Sequence, residues 1–446
     1  MWGKINAPGT GKIKNATKET LKCVDLGGIP NNCFVNVLQG EPMQIDEFEK
    51  VLNFSFGGIH NLQWIDDERF VFLFNGGNSS NYVKVGRIKD GKTIILGDAL
   101  FLYYGATQIY NACGIIPDPY DDTNIIVALG NSEGYGMGLW VLSVDWDTLT
   151  LTTNVTQSEM GFYDWDLTVG TEMYGIGYGG ISGGFDSESV IWLSNNNGFH
   201  VVGFNRSSKT LSLLGEQTYK YSGSHSVRIS AGLCLSVDTD GGGNSFIMRL
   251  VKFTATGAIT MGTTYGQSNS HAGYRDSYPK TLLCTDLGTV LWLGTNTLYK
   301  VEYDAGNLTI NGLTSVMITN QTSNYGGFGR LASGEYYLAV QISNEVMQLY
   351  IITETSAGEF SSTVTNLTLS EFIGPEANLE LNANGYGLMY PYSYYDSSYT
   401  PKTDALIYGL FLTFDGVIKA VSNNYWFGVS RSSADYGEDI EVEVLT

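Results

Sequence analysis

The chain has 446 residues, 43% hydrophobic and 15% charged, with 55 glycines, 29 tyrosines and a formal net charge of −21. That composition excludes a disordered chain, and the negative balance excludes a surface that tracks nucleic-acid phosphates or an anionic membrane. The five cysteines, Cys23, Cys33, Cys113, Cys234 and Cys284, are odd in number and scattered, which fits neither a disulfide framework nor a metal knuckle.

The first segment, MWGKINAPGTGKIKNATKETLKC, has no apolar core of the length a signal peptide needs. No run of about eighteen apolar residues follows, so neither a leader nor membrane insertion is expected. Cys23 and Cys33 could pair, but isolated thiols in a reducing compartment are the expectation. KNATKETLKCVDLGGIPNNCFVNVLQG then alternates like two short strands. IDEFEKVLN, near Ile45, is the one short helical candidate.

From Phe70 onward a single unit recurs: strand, Gly-rich loop, strand, tight turn, strand. It opens as FVFLFNGGNSSNYVKVGRIKDGKTIILG and returns from Asn124 (NIIVALGNSEGYGMGLWVLSVDWDTLTLT) and Val190 (VIWLSNNNGFHVVGFNRSSKTLSLLG). GLCLSVDTDGGGNSFIMRLVKFTATGAITMG, TVLWLGTNTLYKVEYDAGNLTING, YYLAVQISNEVMQLYIITETSAGEF and GLMYPYSYYDSSYTPKTDALIYGLFLTFDGVIKAV complete the set. Tight turns fall near Gly91, Asp147, Ser208, Gly257, Gly306, Gly358 and Gly416.

A period of roughly fifty residues with three or four short strands is the signature of a propeller blade. One such meander cannot bury both its faces, whereas a neighbouring blade can. The expected fold class is all-β: a seven-bladed β-propeller with a small β module formed from the N- and C-terminal segments. The innermost strands are expected in GGIHNLQWI, ATQIYNACGI, MGFYDWDLTV, SHSVRISAG, YPKTLLCTD, GGFGRLAS and NLELNANG. The expected division is 1–58, an arm and part of the terminal module; 59–424, the propeller; and 425–446, the strands completing the module. The alternative for the C-terminal strands is a clasp on the last blade.

The two ends carry a resemblance. KNATKETLKCVD with CFVNVL, and FGVSRSSADYGEDIEVEV, resemble the opening and closing segments of small β-barrel modules in bacteriophage virion proteins. The matched positions are Asp25, Gly428, Val429, Gly437, Ile440 and Val442. A Gly- and Tyr-rich propeller beside them looks like those of phage tail-fibre and appendage proteins. The resemblance implies a non-enzymatic virion protein, a tail fibre or tail-tip appendage that binds the host surface. It also implies location in the virion, homo-oligomers, and other virion proteins as partners through the terminal module. A head- or neck-associated fibre of purely structural role, and a propeller glycan hydrolase, are the alternatives.

Candidate chemistry is sparse. Asp164 and Asp166 in YDWDL share a strand face, as paired glycosidase carboxylates must, but no opposing acid is apparent. Arg228 and Arg275 form no visible arginine triad. His60, His200, His225 and His271 lack metal spacing, so neither metal nor cofactor is expected. SVDTDGGGNS offers Asp238, Asp240 and Asn244 to calcium but lacks the closing bidentate acid. The strongest cluster is Tyr392, Tyr394, Tyr395, Asp396 and Tyr399 in a long loop, where rings could stack on a host glycan.

Overall fold

The computed structural model describes residues 16–445 outside a set of connections, of which 24–33, 154–180, 269–281 and 392–403 are the longest; side chains are described between residues 59 and 390. Among the described residues the fold is an all-β β-propeller accompanied by a closed five-stranded barrel.

Among the described residues the propeller strands fall into seven antiparallel sheets of four or five strands, taken in chain order. Their first strands are Ile59–Trp64, Cys113–Pro117, Ser182–Ser187, Gly223–Ser230, Leu282–Cys284, Gly326–Arg330 and Ala377–Leu381. Each of these lies beside the first strand of the next sheet, and Ala377–Leu381 lies beside Ile59–Trp64 again.

Strict alternation explains the packing. In Asn124–Gly130, Ile125 and Val127 pack toward the first sheet and Ile126 and Ala128 toward the third. The same logic sets Trp192 and Phe199 against Cys234 and Val251. It sets Leu235 and Met248 against Val290 and Trp292. Phe70 and Phe72 meet Leu388 and Tyr390 where the seventh sheet adjoins the first. Each such side chain contributes about 1.5–3 kcal/mol on burial, so strands buried on both faces are nearly all apolar.

Three of the turns between third and fourth strands share one build. Asp145, Asn205 and Asp304 each accept backbone N–H groups two or three residues ahead. Leu149, Lys209 and Leu308 then take left-handed φ values of 56°, 52° and 53° before the chain re-enters a strand. These turns, DWDTLT, NRSSKT and DAGNLT, are one motif written three times.

Several expectations need correction. IDEFEKVLN is not helical: it lies in the strand Gln44–Ser55, which pairs with Asp404–Thr413 as the outermost strand of the seventh sheet. An open sheet edge supplies backbone partners that outweigh local helix propensity. The strand therefore belongs with the propeller rather than with an arm ending at residue 58. Because that edge is taken, Val417–Ala420 does not finish the last sheet. It runs parallel to Ala16–Cys23 and antiparallel to Phe34–Val37 in the barrel, whose other members are Gly428–Ser430 and Asp439–Leu445. Ala16–Cys23 and Asp439–Leu445 pair antiparallel from Ala16–Leu445 to Lys22–Asp439. The first strand of the third sheet is Ser182–Ser187 rather than MGFYDWDLTV, which lies outside the described residues.

Candidate functional site

A first strand ends its sheet, so one backbone edge has no ladder partner there, and polar side chains on it can meet a ligand. The first strand of the seventh sheet carries a buried carboxylate. Asn378 and Glu380 are 5% and 3% exposed, and alternation puts them on one face with Leu379 and Leu381 on the other. A carboxylate is rarely buried to that degree without a specific partner.

One partner is Tyr337, from the second strand of the sixth sheet. Its hydroxyl donates to Glu380 Oε2 at 3.3 Å and accepts the Leu381 N–H at 3.1 Å. Two glycines make room for the ring. A Cβ on Gly329 would lie 2.7 Å from the Tyr337 ring. One on Gly327 would lie 1.8 Å from the Leu379 carbonyl oxygen. From the first sheet, the Trp64 indole N–H donates to the Glu380 carbonyl at 3.0 Å. Asn382 donates to the Asp67 carbonyl at 2.6 Å. Gln63 donates to the buried Asn61 side chain at 3.2 Å.

Burial, followed by the Glu380 charge, pushes the Tyr337 phenol well above its ordinary value, so it stays protonated and donates. Such a carboxylate can accept from a hydroxyl or an ammonium group.

The sequence-derived candidates fare differently. Tyr392, Tyr394, Tyr395, Asp396 and Tyr399 lie outside the described residues, as do Asp164, Asp166, Arg275 and His271. So does most of the Asp238–Asn244 loop. Tyr390, where that tyrosine loop begins, is 2% exposed within the apolar seam between the seventh and first sheets. Arg228 binds Asp186 of the third sheet at 2.8 Å. His200 and His225 are buried, and burial pushes both down to about 4. Among the described residues no group of three His, Cys, Asp or Glu could hold a metal ion. Glu380 and Tyr337 were not singled out from sequence, although an acid inside NLELNANG, opposite glycines in GGFGR, is the signal that marks them.

No family model and no curated protein matches the chain. Solved structures do. A protein from Lactobacillus plantarum is 12% identical with a TM-score of 0.45, over 80% of this chain and 99% of its own. A Bacteroides fragilis protein with the provisional name 6-phosphogluconolactonase is 14% identical, TM-score 0.44, over 81% and 99%. Kuenenia stuttgartiensis hydrazine synthase is 10% identical, TM-score 0.41, over 70% and 90%. These bacterial proteins, two of them bearing enzyme names, correct the expectation of a non-enzymatic phage fibre, which has no counterpart among them. At these identities the likeness assigns no reaction to this chain.

Proposed function

We propose that the seven sheets are the blades of one seven-bladed ring, and that the ring binds a small neutral or cationic molecule at its inner edge with Glu380 as the acidic anchor. The closed circuit of first strands and the Asn382–Asp67 hydrogen bond between the seventh and first sheets support the ring. The buried Glu380 carboxylate on a first strand carries the binding assignment. A formal charge of −21 favours neutral and cationic ligands over polyanions.

The test is thermal stability of the intact chain against a panel of sugars, polyols and amines, compared with Glu380→Gln and Tyr337→Phe. A ligand that binds only the folded state raises the melting point in proportion to its occupancy. The expected result is a shift in wild type that Glu380→Gln abolishes and Tyr337→Phe reduces. If wild type and Glu380→Gln respond alike to every compound, or neither responds, the pair only joins sheets and the assignment fails.

A further inference from the structure

The fourth strand of the fifth sheet, Thr309–Ile318, is an outermost strand paired with Thr297–Asp304. Its ladder skips a residue: Tyr303 is opposite Ile310, and Glu302 is opposite Gly312. Asn311 is therefore the extra residue of a β-bulge, exposed and without a cross-strand partner. A bulge departs from the extended backbone that elsewhere in a strand holds the next nitrogen away from the side chain. The sequence holds four Asn–Gly steps, Asn75–Gly76, Asn197–Gly198, Asn311–Gly312 and Asn384–Gly385, and the third is the one whose two residues are both described.

Two features prepare Asn311 for reaction. Thr309 Oγ1 donates to Asn311 Oδ1 at 3.2 Å, which polarises the side-chain carbonyl. Gly312 has no side chain to hinder an approach of its nitrogen to Asn311, and a Cβ built there meets nothing within 4 Å. The cross-strand neighbour Glu302 is held by Lys300 at 2.9 Å and by Thr314 at 3.3 Å, so its charge is offset.

We infer that Asn311–Gly312 is a site of spontaneous deamidation. The Gly312 nitrogen, having given its proton to solvent base, attacks Asn311 Cγ. Negative charge develops on Oδ1, where the Thr309 hydroxyl already donates. The intermediate collapses by expelling Nδ2, protonated by solvent, as ammonia, and a five-membered succinimide remains. Water then adds to either ring carbonyl and opens the ring, giving aspartate or its isoaspartyl linkage. The balance is one water consumed and one ammonia released, with nothing oxidised or reduced. The product carries a new negative charge at an exposed position. Its isoaspartyl form lengthens the backbone by a methylene at a bulge, where the ladder is already interrupted, so the fold should persist. Asn311 and Gly312 lie in the fifth sheet, outside the Glu380 cluster, so the reaction proceeds whether or not Glu380 binds a ligand.

The intact chain would be kept in warm, mildly alkaline buffer and digested with trypsin at intervals. Conversion reads as a mass gain of about one dalton, located by fragmentation within the peptide from Val301 to Arg330. That peptide also holds Asn307, exposed and followed by Leu308, as a reference without glycine. Asn311 is expected to convert at least about tenfold faster than Asn307. Gly312→Ala, which has room for its methyl group, is expected to slow conversion about tenfold. Thr309→Val is expected to slow it about three- to tenfold, the worth of one hydrogen bond, and to lose this effect in urea. Conversion of Asn311 no faster than Asn307 would overturn the assignment. So would a rate that Gly312→Ala leaves unchanged, because direct hydrolysis does not need the Gly312 nitrogen. Equal slowing by Thr309→Val in native buffer and in urea would take the hydroxyl contact of the folded bulge out of the mechanism.

Discussion

Arg228 Nε donates to Asp186 Oδ1 at 2.8 Å, joining the fourth sheet to the third across 42 residues of chain. The same oxygen also takes the Gly232 N–H at 2.9 Å. The relationship repeats between the sixth and fifth sheets, where Arg330 meets Asp286 at 2.5 Å. Asp186 stands near the end of its first strand and Asp286 two residues beyond the end of its own, and each arginine stands at or near the end of the next first strand. Asp186 is 13% exposed and Arg228 38%, so the pair is only partly screened. Arg228→Ala is expected to cost about 1–2 kcal/mol in urea unfolding. Asp186→Ala is expected to cost more, because it also leaves the Gly232 N–H without its acceptor.

Glycine positions divide sharply by what a methyl group would meet. At Gly327 the obstacle is a backbone carbonyl at 1.8 Å, which cannot rotate away. At Gly312 nothing lies within 4 Å. Gly327→Ala is expected to lose about 3 kcal/mol or more, with the sixth and seventh sheets parting at Tyr337–Glu380. Gly312→Ala should be neutral or slightly stabilising. Paired denaturant melts of the two variants check the contrast.

Acid should destabilise the fold through His225. Burial pushes its imidazole from 6.5 down to about 4, so the unfolded chain holds a proton that the folded chain releases. Stability is then full above about pH 6.5 and falls as pH drops toward 4, by about 2 kcal/mol at about pH 5. His225→Leu removes two ring nitrogens that have no partner, so it should raise stability at neutral pH and flatten the acid slope. His200, equally depressed, keeps its share, so about half the slope should remain. Urea unfolding across a pH series measures both effects.

Removing residues 439–446 takes away the strand that pairs with Ala16–Cys23 over its whole length. Two barrel strands, Ala16–Cys23 and Gly428–Ser430, would lose this partner. Exposed strand edges recruit other chains, so the truncated protein should form soluble aggregates on size-exclusion chromatography. A monodisperse product with unchanged melting would mean that the barrel tolerates the loss.

Local order in this chain was legible in the amino-acid sequence because its causes are local. The near-continuous apolar runs NIIVALG and VIWLS report strands buried on both faces, and the DWDTLT, NRSSKT and DAGNLT turns carry their own capping oxygens. A recurring unit of this length already implied sheets that need neighbours, and hence a propeller. Which edges meet was decided only in three dimensions. IDEFEKVLN reads as helix until the open edge of Asp404–Thr413, more than 350 residues later in the chain, offers it a ladder. The polar sites obey the same division. A glutamate in NLELN or a histidine in SHSVR looks like an exposed strand position, because a sheet with one wet face has the same pattern. Only the packing of a second sheet against that face turns Glu380, His225 and Arg249 into buried groups. Desolvation, which gives them their chemistry, is a property of the neighbouring sheet and not of the segment that carries them.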